Sequence, residues 1–219
     1  MMIRTASATA AALLALAVAP VAEAEDTYAD YAELAAHETE GVDYRREVRG
    51  GETDLVHIAI HGGGIERPTT ELADRAATSG GHGFGTFEGI KPSGNSVLHI
   101  TSTNFDEPMI SDLVSGSRYT VSWHGAAGDT ATTYVGGLAA ELRDAVRAEL
   151  RAAGFDAPDT VPDELAGDSP DNIGNRNARG QGVQLELTRA QRDALVKDGV
   201  PTAEFDDYVA AVERAVSRR

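Results

Sequence analysis

Two apolar runs that each deliver a histidine set the limits on this fold. Leu55 to Ile60 (LVHIAI) is mostly apolar on both faces of an extended chain and leads into His61 and three glycines. A strand with no polar face belongs in the middle of a sheet covered on both sides, so helices must flank it. Arg118 to Trp123 (RYTVSW) repeats the arrangement and ends at His124 and Gly125. In open α/β sheets ligands gather beyond the carboxyl ends of the strands, so both imidazoles are expected on one edge. The glycine after each is expected to let the backbone turn away and leave space beside the ring.

The remaining chain alternates around these strands. Tyr28, Tyr31, Leu34 and Ala35 recur at helical spacing, and Tyr44 to Val48 reads as a strand closed by Gly50-Gly51. Residues 69–78 predict a helix, Gly83 to Glu88 a strand, Val97 to Ser102 an extended segment and Phe105 to Val114 a helix. Thr133 to Val135 is short and extended. Leu138 to Ala153 is the clearest helix, with Leu142, Val146 and Leu150 on one face and Gly154 placed to end it. Residues 156–182 are rich in Asp, Pro, Gly and Asn and should be irregular. Val183 to Leu187 follows as a strand, Thr188 with Gln191 makes a capping box, and a last helix covers Glu204 to Val216. The expected architecture is a single α/β domain over residues 25–219, a mixed central sheet with helices on both faces.

The first 24 residues read as a secretory leader. Arg4 gives the positive start, Ala11 to Val18 an apolar stretch too short to span a bilayer, and Ala22-Glu23-Ala24 a small-x-small cleavage site. The mature chain should begin near Glu25 and act as a secreted, soluble monomer. The chain has no cysteine, which excludes disulfides, a thiol nucleophile and cysteine-ligated zinc. Its net charge of −16 opposes nucleic-acid binding. The same excess is awkward for a polyanionic substrate unless salt or a local positive patch offsets it. Only two lysines, Lys91 and Lys197, stand against 17 arginines, a composition that suits a salty environment.

Glu66 lies five residues past His61, and the flexible Gly62-Gly63-Gly64 can fold its carboxylate back toward the ring. Two histidines and a glutamate form a catalytic zinc set that leaves the fourth position to water. Gln184 and Glu186 share one face of their strand, opposite Val183, Leu185 and Leu187. A carboxylate on a short buried strand is costly unless it faces a polar site. There is no His-Glu-x-x-His helix, P-loop or Gly-x-Ser-x-Gly elbow.

The segments DTYADYAELAAHETEGVDYR, HGGGIE, FEGIKPSGN, LHITSTNFDEP, SWHGAAGD, YVGG, NIGNR and GVQLEL occur in this order over nearly the whole mature chain. Together they resemble the poly-γ-glutamate hydrolases, zinc enzymes of phages and bacteria with a fold similar to zinc carboxypeptidases. The resemblance implies zinc on His61, Glu66 and His124 and a catalytic glutamate at Glu186. It implies substrate contacts from Asn175 and Arg176 of the NIGNR segment, where a guanidinium suits a carboxylate. Lys91 would add positive charge and Gln184 would lie beside the base. His99 matches a family motif but is read as a satisfied buried histidine, and His37, His57 and His82 receive no functional role. Ala126 and Gly174 stand where family members often carry cysteine, and residues 177–181 depart from the pattern. The activity implied is zinc-dependent hydrolysis of γ-glutamyl amide bonds. The rivals are a zinc amidase or carboxypeptidase acting on a small N-acylated amino acid or cell-wall γ-glutamyl link, and a zinc-dependent binding protein without catalysis.

Overall fold

A computed structural model of the chain describes residues 26–219; the leader predicted over residues 1–24 lies outside them. Six strands form one mixed sheet: β1 (Tyr44–Arg49), β2 (Leu55–Gly63), β3 (Gly83–Gly89), β4 (Tyr119–Ala126), β5 (Thr133–Gly136) and β6 (Val183–Thr188). Their order is β1-β3-β2-β4-β6-β5. The inner four run parallel, while β1 and β5 pair antiparallel at the two edges. Among the described residues the helices are α1 (Tyr31–His37), α2 (Thr69–Gly80), α3 (Pro108–Ser115), α4 (Ala140–Ala152), α5 (Arg189–Leu195) and α6 (Ala203–Val216). Two-residue strands β7 (Val196–Lys197) and β8 (Val200–Pro201) close a small hairpin between the last two helices.

Alternation along the strands sends side chains into two cores. Leu55 and Ala59 of β2, Val121 and Trp123 of β4, and Val183, Leu185 and Leu187 of β6 pack with α2, α4 and α6. Val56, Ile58 and Ile60 face the other way, with Phe87, Phe105 and Ile110. On α4, Val146 and Leu150 are fully buried, and each aliphatic side chain removed from water contributes about 1.5–3 kcal/mol. Thr188 accepts from the Gln191 backbone N–H, so the predicted cap on α5 forms. No helix among the described residues is long and apolar enough to cross a membrane.

The expected strand at Val97 to Ser102 does not form. Asn95–Leu98 makes a 3-10 turn, and the chain then runs irregularly under the functional edge of the sheet. Its polar groups find tertiary partners instead of a ladder: the Ile100 carbonyl meets His61, and the Thr101 N–H donates to Asp26. A β-rich composition is overridden where a site needs the backbone.

At the amino end of the sheet, α6 is pinned by a half-buried carboxylate. The Trp123 indole N–H donates to Nδ1 of His57 at 3.1 Å, which leaves the ring proton on Nε2. That nitrogen lies 3.1 Å from Glu213 Oε1, and Nε2 of His82 lies 3.1 Å from Oε2. Burial opposes ionisation of Glu213, yet the two imidazoles prevail and hold its pKa at about 2. Burial also keeps His57 below its ordinary 6.5, hence neutral.

Both shifts make acid destabilising. A depressed carboxylate contributes stability present above its unfolded value near 4.5 and lost as pH falls through about 2. A buried neutral histidine loses its contribution as pH falls through its unfolded value of 6.5. Thermal unfolding from about pH 8 to about pH 3 should therefore show a falling Tm. Glu213→Gln should lower stability by about 2 kcal/mol at neutral pH and abolish only the part of the acid loss below about pH 4.5. A mutant that keeps the full acid profile would refute this assignment.

Candidate metal centre

His61 stands near the carboxyl end of β2 and His124 near that of β4, so the parallel pairing of these strands brings both rings to one edge. Their rings lie 4.9 Å apart, and both side chains are almost fully buried. Nε2 of His61 is 2.9 Å from the Ile100 carbonyl, which can only accept, so that nitrogen carries the proton. Nδ1 then faces inward, 3.1 Å from Nδ1 of His124. Nε2 of His124 is fixed in turn by Ser122 Oγ at 2.7 Å.

The loop after β2 folds back as its sequence allows. The Glu66 N–H donates to the His61 carbonyl at 2.9 Å, closing a turn that points the carboxylate at both rings. Glu66 Oε1 lies 3.1 Å from Nδ1 of His61, and Oε2 lies 3.8 Å from Nδ1 of His124. Oε2 also accepts from the Gly125 N–H at 2.8 Å. The two glycines do not end their strands, contrary to expectation; they sit inside them because a side chain has no room. A Cβ at Gly125 would meet the Arg192 guanidinium at 2.7 Å, and one at Gly62 would meet Thr70 Oγ1 at 2.1 Å.

Two imidazole nitrogens facing each other at this distance beside a carboxylate need a shared cation. Without metal, a proton serves. Burial works against charging His61, but Glu66 outweighs it and raises the imidazole above 6.5. Burial, then His61, pushes His124 down to about 3. Glu66 goes down to about 2, with burial opposing and His61 dominating among the groups that lower it. A neutral imidazole, an ionised carboxylate and a second imidazole whose outer nitrogen is anchored are what a divalent zinc-type ion requires. The residues fit a metal.

Glu186 lies directly opposite His124 in the β4–β6 register, and Gln184 opposite Ser122. Asn172 donates to Gln184 at 2.7 Å, and Gln184 donates to Glu186 Oε1 at 2.9 Å, a relay that fixes the carboxylate. His61, Glu66, His124, Gln184 and Glu186 all line one cavity of ≈ 430 Å³. His99 lines it as well, stacked on His61 at 3.9 Å with Nδ1 held by Asp26 at 2.8 Å. His61, Glu66 and His99 can also present ligand atoms within 4.8 Å of one another, which sets a third imidazole beside the pair. Burial and the neighbouring His61 keep His99 below its ordinary value despite Asp26.

Three expected substrate contacts are placed elsewhere. Asn175 is buried and ties loops together, accepting from the Leu138 and Gly182 N–H groups and donating to the Gly167 and Ser169 carbonyls. Arg176 donates to the Ser102 and Phe105 carbonyls, beneath the segment that walls the cavity. Lys91 pairs with Glu38 at 2.6 Å. None of the three lines the cavity, and among the described residues no arginine or lysine does. Sequence reasoning missed Ser122, Asn172, Asp26 and the Ile100 carbonyl. All four fall within the motif segments, Asp26 heading DTYADY and Asn172 heading NIGNR, and Ser122 also shares a strand face with His124.

His57, His82 and Glu213 form another cluster of ligand-type atoms. The Trp123 hydrogen bond argues against a metal there, because an occupied Nδ1 leaves Nε2 protonated and without a lone pair. That cluster is a structural pin.

The poly-gamma-glutamate hydrolase family matches residues 28–211. The chain belongs to this family. It is 36% identical over 202 residues to the SPbeta prophage-derived protein YoqZ of Bacillus subtilis (strain 168), covering 89% of this chain and 73% of YoqZ. YndL of the same organism is 38% identical over 178 residues, 78% of this chain and 68% of YndL. Among solved structures, a bacteriophage poly-gamma-glutamate hydrolase superposes with a TM-score of 0.85 at 40% identity, over 88% of this chain and 97% of the phage chain. A zinc-free apo structure of YndL gives 0.83 at 32% identity, over 88% and 98%. The expected fold class is therefore correct, and the mixed sheet is that of the poly-gamma-glutamate hydrolases.

The outer-sphere anchors give a test independent of turnover. Ser122→Ala leaves every proposed ligand in place but frees the His124 ring. Zinc affinity, measured by competition with a chromophoric chelator, should fall about 10–100-fold. His61→Ala or His124→Ala should abolish stoichiometric binding. Undiminished affinity in Ser122→Ala would show that His124 is not a ligand through Nδ1.

Proposed function

We propose that this poly-gamma-glutamate hydrolase cleaves γ-glutamyl amide bonds in poly-γ-glutamate, with zinc held by His61, Glu66 and His124 and with Glu186 as general base. The observation that carries the reading is the convergence of two anchored imidazoles, a half-buried carboxylate and a buried, strand-borne second carboxylate in one cavity. Zinc, when bound, supplies Lewis acidity that brings the pKa of water toward about 7 and polarises the amide carbonyl.

The chain's own residues do the rest. Glu186 accepts a proton from the attacking water and returns it to the departing amine, so one carboxylate serves as base and then acid. The Asn172–Gln184 relay orients that carboxylate before substrate arrives. His99, fixed through Asp26, walls the same space and helps exclude bulk water from it. We further propose that the enzyme acts outside the cell as a monomer, once residues 1–24 are removed.

One observation favours a second substrate. Asp163, Glu164 and Asp168 line the cavity, and among the described residues no arginine or lysine does. Such a surface complements a γ-glutamyl link in a cell-wall peptide that carries an amino group near the scissile bond.

Purified protein should shorten poly-γ-glutamate and stop when a strong chelator is added. Glu186→Gln keeps size and hydrogen bonding while removing the base, so bound zinc should stay and turnover should fall about a hundredfold or more. Near-normal turnover in that variant would place the base elsewhere. Cleavage of an amino-bearing γ-glutamyl peptide with the polymer left intact would select the second substrate.

A further inference from the structure

The one charge problem the active-site cavity leaves open is how a protein of net charge −16 holds a chain bearing a carboxylate on every residue. A second cavity, of ≈ 450 Å³, offers an answer at the opposite end of β4. Tyr119 begins that strand and His124 lies five residues on, about 16 Å away at the usual rise of an extended chain. Three guanidinium groups surround the Tyr119 ring: Arg179 at 4.8 Å, Arg219 at 5.3 Å and Arg118 at 5.8 Å from its centroid. Arg179, Arg218 and Arg219 line the cavity, and Arg118 touches only the ring.

Two of these arginines stand out in so acidic a molecule. Arg218 pairs with Glu149 at 2.7 Å, and Arg219 lies 3.7 Å from Asp54. Arg118 and Arg179 form no ion pair among the described residues, although acids outnumber bases 35 to 19. Stacking on an aromatic face holds a guanidinium plane while leaving its N–H edge open to a carboxylate. The amino terminus of α4 opens on the same cavity, and its cap residue, Ala139, has no side chain able to accept the terminal N–H groups. A helix start of this kind also favours an anion. Glu141 is the acidic residue lining the cavity.

One stretch of chain borders both cavities: Gly167, Ser169 and Asn172 line the metal centre, and Arg179 and Gln181 line the Tyr119 cavity. Asn175 locks the intervening loop to both sides, through Gly167 and Ser169 on one and through Leu138 and Gly182 on the other.

We infer that the Tyr119–Arg179 cavity, with Arg118 flanking it on the Tyr119 ring, is a secondary binding site for the α-carboxylates of a polycarboxylate chain whose scissile bond lies in the metal centre. This rests on the reading of the substrate as poly-γ-glutamate. The site supplies the basic contacts that the active-site cavity lacks, and it selects long chains over short ones because only a long chain reaches both.

Equilibrium binding of long poly-γ-glutamate to the Glu186→Gln protein, where the polymer survives, tests the site directly. Adding Arg118→Ala and Arg179→Ala should weaken polymer binding about tenfold. Affinity for a γ-glutamyl dimer should not change. Glu141→Gln, which removes a like charge, should tighten polymer binding, an effect that damage to the fold cannot produce. On the otherwise unaltered enzyme, the double arginine variant should raise KM for the polymer and leave kcat unchanged. Polymer affinity unchanged by the double substitution overturns the inference, as does equal loss for polymer and dimer. If the unaltered enzyme fails to cut the polymer, the proposed activity falls, while the binding measurement still decides the site.

Discussion

The parallel register of β2, β4 and β6 is the constraint from which the rest of the site follows. Pairing Ile58 with Ser122 and His124 with Glu186 carries three polar side chains on neighbouring strands to one edge. Parallel strands require crossover connections, here through helices, and those helices bury the opposite face of the sheet. The residues next to each functional group in sequence therefore become core: Trp123 beside His124, Leu185 and Leu187 beside Glu186. Shifting β6 by one residue would send the Glu186 carboxylate into that core and a leucine into the cavity. Site geometry and fold stability are enforced by the same alternation.

Strand β2 carries buried histidine–carboxylate contacts near both ends, and the comparison shows what separates a pin from a metal site. At His57, the Trp123 N–H takes the inner nitrogen, so the ring can only present a proton to Glu213. At His61, a carbonyl takes the outer proton, so the ring presents a lone pair toward Glu66 and His124. The residue types are nearly the same; the partner on the far nitrogen decides the chemistry.

Much of this was legible in the sequence, and the exceptions have a common cause. Apolar runs fixed the inner strands, the Leu142–Val146–Leu150 spacing revealed α4, and the alternation of Gln184 and Glu186 with leucines put both on the cavity side. Those signals are local. What failed was nonlocal: Val97 to Ser102 has strand-like residues, but its backbone is claimed by His61 and Asp26. Lys91, Asn175 and Arg176 looked like ligands for substrate because their partners, Glu38, Gly167 and the Phe105 carbonyl, lie 53, 8 and 71 positions away. No pattern along the chain announces such pairings. The glycines after each histidine were correctly singled out for the wrong reason, since it is Arg192 and Thr70, far in sequence, that forbid a side chain there.

The arginines show how an acidic protein distributes scarce positive charge. Arg46 reaches Glu40 and buried Glu107, and Arg214 and Arg218 converge on Glu149, so several guanidinium groups are committed to internal or surface acids. Arg192 and Arg176 instead cap backbone carbonyls beside the metal centre, where their fixed hydrogen bonds shape walls. With these groups engaged, the ion proposed for the two imidazoles and Glu66 would supply positive charge in the cavity. A polyanion drawn to that ion alone would have one point of attraction against a repelling surface whose field extends about 8 Å at physiological salt. The unpaired arginines at Tyr119 lie beyond that range from the metal centre, on the far end of the same strand. Attraction at two points separated by more than a screening length acts on a polymer and not on a monomer, so chain length itself becomes the selected property.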